Sequence, residues 1–147
     1  VIGAGTIGLL AMQALKAAAI QGYTSKDALM VDFNKSSWTV LENSYSNEYH
    51  DTTEKTTGRT LGAESVTVAA GTFANCRKVQ LTHNSTSAFS SEGQSYNETY
   101  RATMTVWFAK GVGVVKSIDK YESTHMGGDM EVFETTTSVL KSYNMPN

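Results

Sequence analysis

Beyond Gly22 the sequence consists of short strand-like runs separated by polar turns, and this pattern continues to the C terminus. In the clearest run, Val66 and Val68 alternate with Ser65 and Thr67, so apolar and polar side chains would project from opposite faces. Such alternation is typical of antiparallel sheets with one solvated face. The runs predicted to be strands are Ala28–Phe33, Ser37–Leu41, Glu64–Ala69, Cys76–His83, Thr99–Ala109, Val112–Lys120 and Glu131–Tyr143.

The first 22 residues have a different character, with no acidic residue and a single cation, Lys16. When residues advance by about 100° each, the polar side chains fall within one arc and leave a broad apolar arc. This pattern predicts a helix that is buried on most sides, and small residues at four-residue spacing would let another helix approach closely. The residues predicted to pack in such an assembly are Ala4, Ile7, Gly8, Leu10, Ala11, Ala14, Leu15 and Ala18.

These two patterns predict an α+β fold. An apolar helix over residues 1–22 would precede a curled antiparallel β-sheet, half-barrel or sandwich-like, over residues 23–147. A chain of 147 residues is long enough to bury a core of its own.

Composition narrows the classes of partner. The formal net charge is −2 and no basic cluster exceeds the pair Arg77 and Lys78, which argues against nucleic acid as a partner. The lone Cys76 can form no disulfide within the chain and is predicted to be a small buried side chain. Runs rich in Thr and Ser suit the solvated faces of strands and are common on extracellular proteins, so we expect an extracellular or cell-surface location, with the periplasm as the alternative.

Three triplets fit the pattern for N-linked glycosylation, beginning at Asn34, Asn84 and Asn97. They make glycans candidate partners and agree with export. The sequence points to no catalytic, cofactor or metal site: His50, His83 and His125 lack the short spacing of a zinc site, and no nucleophile elbow is present. We therefore expect a protein that is not an enzyme.

A glycine motif at the N terminus, Gly3-Ala-Gly5-Thr-Ile-Gly8, resembles the start of the cofactor domain in medium-chain alcohol dehydrogenases. The resemblance extends to Asp32, which would occupy the ribose-binding position of that family. It implies a fragment that binds NAD. The strand before the glycines would consist of Val1 and Ile2 alone, and no further alternation of strand and helix follows Asp32.

A longer stretch, from about residue 61 to 144, resembles a set of bacterial exported and lipid-anchored β-domains of the lipoprotein-carrier type. The matching segments include GTFANCRKV from Gly71 and WFAKGVGVVK from Trp107. The resemblance implies a sheet that curls into a half-barrel and names no catalytic residue. Residues predicted to form its turns and core are Gly71, Phe73, Val79, Trp107, Gly111 and Gly113.

The overall layout resembles a type IV pilin, with one apolar N-terminal helix before a β-rich head. The acidic residue that pilins carry near the helix start is absent, because position five is Gly5. The leading hypothesis is a structural subunit that forms a homo-oligomer or filament through its N-terminal helix and that can contact a membrane before assembly. The alternative is a periplasmic or lipid-anchored carrier or sensor of an apolar ligand, and the third is the dehydrogenase fragment.

Overall fold

The computed structural model describes residues 31–91, 93–124 and 128–144, and these form one six-stranded antiparallel sheet. The strands are β1 (Ser37–Ser46), β2 (His50–Val68), β3 (Gly71–Ser91), β4 (Gln94–Ala109), β5 (Gly113–Ser123) and β6 (Glu131–Val139). Their order in the sheet is their order in the chain, so each strand pairs with its neighbours in sequence. The result is a meander of hairpins with β1 and β6 at the two edges.

The two longest strands, β2 and β3, span 19 and 21 residues and pair along almost their whole lengths. Threonine is frequent in both, and its branched side chain fits the extended backbone on either a solvated or a buried face. Irregularities in register occur in four of the five strand pairs; only β3 and β4 pair without one. Such bulges bend a strand and increase its local twist.

The sheet has two chemically different faces, which the cross-strand register defines. On the first, here called the aromatic face, project Trp38, Val79, Leu81, His83, Tyr100, Met104, Asp119, Tyr121, Phe133 and Glu134. On the second, here called the basic face, project Lys55, Arg59, Lys78, Arg101, Trp107, Lys116 and Lys120.

At the end of the sheet that holds the turn between β2 and β3, the sheet curls toward its basic face. The backbone N–H of Ala70 in that turn donates to the carbonyl of Leu140, which follows β6, although three strands separate β2 from β6. The curl encloses a core of five buried residues, Val66, Cys76, Trp107, Ala109 and Val115. This closed end is the best-covered part of the basic face.

A segment of residues 31–36, which we call the lead segment, crosses the aromatic face before β1 begins. Val31 packs against the core cluster of Trp38, Val79 and Leu81. Phe33 meets Phe108 edge to face, with ring centroids 5.2 Å apart, and its carbonyl accepts from Arg77 at 2.6 Å. The lead segment thus covers the aromatic face near the closed end. The rest of that face, up to the β1–β2 and β3–β4 hairpins at the other end of the sheet, is not covered by any described residue.

The predicted α+β class is wrong: the described residues form an all-β structure, and no helix occurs among them. The predicted N-terminal helix over residues 1–22 lies outside the described residues. Sequence reasoning also missed residues 50–63, 84–91 and 94–98 as strand, because polar residues predominate there and no apolar alternation marks them. The sheet is therefore longer along its strands than the predicted runs.

Within the part of the chain that the structure describes, no helix is long and apolar enough to cross a bilayer.

Candidate functional site

Three aromatic rings meet on the aromatic face, at the strands β4, β5 and β6. The centroids of Tyr100, Tyr121 and Phe133 lie 6.4, 6.3 and 6.0 Å from one another, and their planes are inclined by only 29°, 37° and 31°. Tyr100 and Tyr121 come from regular alternation, whereas Phe133 lies where the pairing of β5 and β6 shifts register. The bulge adds a third ring to a face that regular alternation would give only two.

The three rings, which we call the ring cluster, are only partly covered. Phe133 has 58% of its surface exposed, and Tyr100 and Tyr121 are half-buried. Burial raises the pKa of both tyrosine hydroxyls, and the Glu134 carboxylate adds to that rise. The phenols are therefore neutral at physiological pH and present apolar ring surface with a hydroxyl available for hydrogen bonding.

Aromatic side chains continue along the aromatic face toward the hairpins farthest from the closed end. The His83 ring lies 6.2 Å from the ring of Tyr100, and its Nδ1 is 2.9 Å from the hydroxyl of Thr56. Farther along, His50 stacks on Phe89 with centroids 4.5 Å apart. Rings and aliphatic side chains adjoin one another from the Trp38 core to the ring cluster, and a polar row of Thr52, Ser87 and Glu98 separates them from the His50–Phe89 pair.

Charge is divided between the two faces of the sheet. Of the Lys and Arg side chains on the six strands, only Arg77 projects from the aromatic face, and it lies at the closed end over the Phe33 ring. Five carboxylates project from the aromatic face, and no ion pair reaches any of them within the described residues. These carboxylates are Glu54, Glu98, Asp119, Glu131 and Glu134.

Asp119 is the most enclosed of these carboxylates. Its Oδ1 atom is buried and receives no hydrogen bond from any residue that the structure describes. Loss of solvation raises the pKa of this carboxyl above its usual value of 3.8. Asp119 lies one row from the ring cluster, because it shares a strand and a face with Tyr121 two residues later. A buried polar atom without a partner in the chain is a group that a bound ion, water or ligand commonly completes.

The basic face carries a different arrangement around Trp107. The ammonium groups of Lys78 and Lys116 each lie 4.9 Å from the indole centroid, and the indole N–H donates to Glu64 Oε1 at 2.5 Å. Lys78 also pairs with that carboxylate at 3.2 Å. Hydrogen bonds from Trp107 and then Lys78 lower the pKa of the Glu64 carboxyl below its usual 4.5. At this site the Glu64 carboxylate is thus paired with Lys78, and Lys116 lies over the indole.

We expect Glu64→Gln to destabilise the protein at neutral pH and to do so less as the pH falls. The folded-state pKa is lowered, so the ionised carboxylate contributes stability above pH 4.5 that is lost as the pH falls through the folded-state value. Thermal unfolding of both proteins between pH 3 and pH 7 measures this difference. A gap in Tm that stays constant below pH 4.5 would contradict the ionic role of Glu64.

A shallow depression of about 390 Å³ lies on the basic face over β1, β2 and β3. Its lining is mixed: hydroxyls of Ser37, Thr39 and Thr57 lie beside Arg59 and Gln80, and Trp38 and Gly58 add apolar surface. Arg59 donates from Nε and Nη2 to Gln80 Oε1 at 2.9 and 2.6 Å, so its guanidinium is held in place by a neutral partner. Pockets for small molecules are lined predominantly by apolar and aromatic side chains, whereas most of the residues that line this depression are polar.

The residues that the sequence predicted for assembly, nucleotide binding and glycosylation do not come together in one site among the described residues. The eight predicted assembly residues of the N-terminal segment, and Gly3, Gly5 and Gly8 of the nucleotide motif, lie outside the described residues. Asp32 lies in the lead segment, where its carboxylate accepts from the Asn34 N–H and pairs with Lys35. Of the candidate glycosylation sites, Asn34 and Asn97 are exposed, whereas half-buried Asn84 accepts from Arg101 on the basic face.

The predicted turn and core residues all fall at or near the closed end. Gly71, Gly111 and Gly113 have φ angles of 131°, 77° and 101° at the turns between strands, where residues with a Cβ are strained. Val79 and Trp107 are buried, on opposite faces of the sheet, and Phe73 packs against the core that contains Trp107. None of these six residues belongs to the ring cluster.

Sequence reasoning missed the ring cluster and its carboxylates. Tyr100, Tyr121 and Phe133 come from three strands, and only the register of those strands brings them together. One signal was present: Tyr96, Glu98 and Tyr100, and likewise Asp119 and Tyr121, are spaced by two residues and so share one face of a strand. Among the described residues, no group of three or more His, Cys, Asp or Glu is placed to hold a metal ion.

Comparison with known proteins gives one match. A family model described as DUF3108-like matches residues 22–129, which is well over half of the chain and includes all of β1–β5. No curated protein matches the chain. No solved structure matches it either.

Proposed function

The chain belongs to the DUF3108-like family, and we propose that it is a carrier or sensor that binds an apolar or amphipathic ligand on its aromatic face. The observation that supports this function is the partly exposed ring cluster of Tyr100, Tyr121 and Phe133. It adjoins the apolar residues around Met104 and Trp38, which the lead segment covers only near the closed end.

A single sheet with one apolar face is completed by a second layer that covers that face. In ligand-binding proteins, such surfaces combine aromatic and aliphatic side chains with a few polar groups that orient the ligand. The aromatic face has both components, because Asp119, Glu134 and the two phenol groups lie among its rings. The basic face has its largest apolar residues buried in the closed end, so it offers less apolar surface to a ligand.

The test is direct binding of N-phenyl-1-naphthylamine, an uncharged apolar fluorophore, to the full chain. We expect its emission to rise on binding and Phe133→Ser to weaken the affinity by about tenfold. Removing roughly 50 Å² of apolar contact at about 25 cal/mol per Å² gives about 1.3 kcal/mol, and about 1.4 kcal/mol is tenfold in Kd.

The neighbouring Val132 provides a matched control. It is 52% exposed, close to the 58% of Phe133, but it pairs with Glu122 and so projects from the basic face. Val132→Ser should leave the affinity for the fluorophore unchanged. Equal losses from both variants, or no binding by the unmodified chain, would contradict a ligand site on the aromatic face.

The self-assembly through residues 1–22 that the sequence suggests stays a prediction. It concerns a segment outside the described residues, and ligand binding on the aromatic face does not depend on it. Light scattering of the same samples used for the binding measurements would report whether the chain is a monomer or an assembly.

A further inference from the structure

The aromatic face carries negative charge that no described Lys or Arg on the same part of the face compensates. Its five carboxylates have no ion pair among the described residues, and its one strand cation, Arg77, is at the closed end. On the basic face, by contrast, three of the four carboxylates, Glu42, Glu64 and Glu122, pair with lysines. Within the described residues, ion pairs of strand carboxylates therefore occur on the basic face alone, where only Asp51 lacks one and accepts from the Ser46 hydroxyl instead.

Two of the unpaired carboxylates lie at the ring cluster itself. Glu134 is directly opposite Tyr121 on the neighbouring strand, and Asp119 is two residues before Tyr121 on the same strand and face. Thr136 lies opposite Asp119, but its hydroxyl donates to Glu134, and Asp119 Oδ1 receives no hydrogen bond. Within the described residues, at least one carboxylate oxygen next to the rings is therefore left without a donor.

Rings and carboxylates together are complementary to one class of group. The negative π-face of an aromatic ring attracts a cation within about 6 Å of its centroid, and the attraction is larger where water is excluded. A carboxylate attracts the same cation and repels an anion. An acyl carboxylate or a phosphate would meet only like charges beside the ring cluster, because the closest strand cations project from the other face.

Resting on the function proposed above, we propose that the ligand of the aromatic face is a cationic amphiphile: its ammonium group binds beside Asp119 and Glu134 over the rings of Tyr100, Tyr121 and Phe133, and its apolar part lies along the same face. The apolar part of the ligand would lie along the side chains that run from His83 and Met104 toward Trp38. The ammonium group is thus bound through its charge, and the rest of the ligand through burial of apolar surface.

The experiment compares three amphiphiles of one chain length with the full chain: decyltrimethylammonium, decanoate and decanol, each below its critical micelle concentration. Displacement of N-phenyl-1-naphthylamine at neutral pH gives the three affinities. We expect decyltrimethylammonium to bind at least about tenfold more tightly than decanoate, with decanol between them. We expect added salt to reduce that preference, because salt screens exposed charges.

The double variant Asp119→Asn, Glu134→Gln should remove the preference for the cation while the affinity for decanol is kept. Glu122→Gln is the matched control, because Glu122 is on β5 but pairs with Lys120 on the basic face. It should leave the order of affinities unchanged. Circular dichroism of each variant checks that the sheet is intact.

The outcomes separate this inference from the function on which it rests. Equal affinities for the three amphiphiles, or tighter binding of decanoate, would overturn the cationic ligand while leaving an apolar ligand on the aromatic face. A cation preference that survives in the double variant would overturn the assignment to Asp119 and Glu134. If the fluorophore does not bind to the full chain at all, the proposed function itself would be overturned.

Discussion

Replacing Trp107 by alanine is expected to lower the free energy of unfolding by about 3–5 kcal/mol, as is usual for loss of a buried aromatic side chain. Trp107 is only 4% exposed and packs with Cys76 and Val115 in the core of the closed end. Its removal leaves a cavity that the hydrogen-bonded strands around it cannot fill by a small shift. Urea denaturation followed by circular dichroism measures the loss.

Trp107→Phe is the control for that experiment. It keeps an apolar ring in the core but removes the indole N–H that donates to Glu64. We expect a smaller loss than for alanine, because only part of the volume and one charge-assisted hydrogen bond disappear. If alanine cost less than about 1 kcal/mol, the closed end would not be the core that we describe.

Introducing a side chain at Gly58 is the second change with a large expected effect. Gly58 pairs directly with Trp38 across β1 and β2, and the indole lies over the glycine. A methyl group built at Gly58 would overlap the six-membered ring of Trp38 and lie 2.6 Å from its Nε1. We expect Gly58→Ala to lower the free energy of unfolding by about 1–3 kcal/mol, and Gly58→Val by more, because overpacking displaces the ring from the core.

A double-mutant cycle isolates the cause of that effect. Trp38→Ala alone should cost about 3–5 kcal/mol because Trp38 is 8% exposed and packs with Val79 and Leu81. With Trp38 removed, Gly58→Ala should cost little or even stabilise the strand, because alanine restricts the unfolded chain more than glycine does. Additive losses would show that the indole does not lie over Gly58.

Sequence reasoning reached the parts of the fold where apolar residues alternate. The predicted runs Cys76–His83 and Thr99–Ala109 lie within β3 and β4, because Val79 and Leu81 alternate with polar residues in the first and β-branched and aromatic residues dominate the second. The continuation of β3 through residues 84–91 carries polar side chains on both faces, which are Ser, Thr and Asn in large part. Its strand conformation follows from pairing with β2 and β4, which no local pattern reveals.

The site was harder to predict than the strands. The residues of the ring cluster are 21 and 12 positions apart along the chain, and a shift of one residue in register would move a ring to the opposite face. The bulge that turns Phe133 toward Tyr121 depends on how β6 pairs with β5. The division of charge between the two faces also depends on strand register. Acidic and basic residues are interspersed along the sequence, so the sequence alone does not show which of them share a face.

The measurement that tests the ligand site most directly is paramagnetic broadening of methyl signals by a decyl chain that carries a nitroxide at its end, added to the full chain. Met104 and Ile118 form a suitable pair of reporters, because both are half-buried and they project from the aromatic face and the basic face respectively. A ligand on the aromatic face predicts much stronger broadening of the Met104 and Ala102 methyls than of the Ile118 and Val132 methyls, because the broadening falls steeply with distance from the nitroxide. Broadening of Ile118 without Met104, or equal broadening on both faces, would contradict a ligand site on the aromatic face.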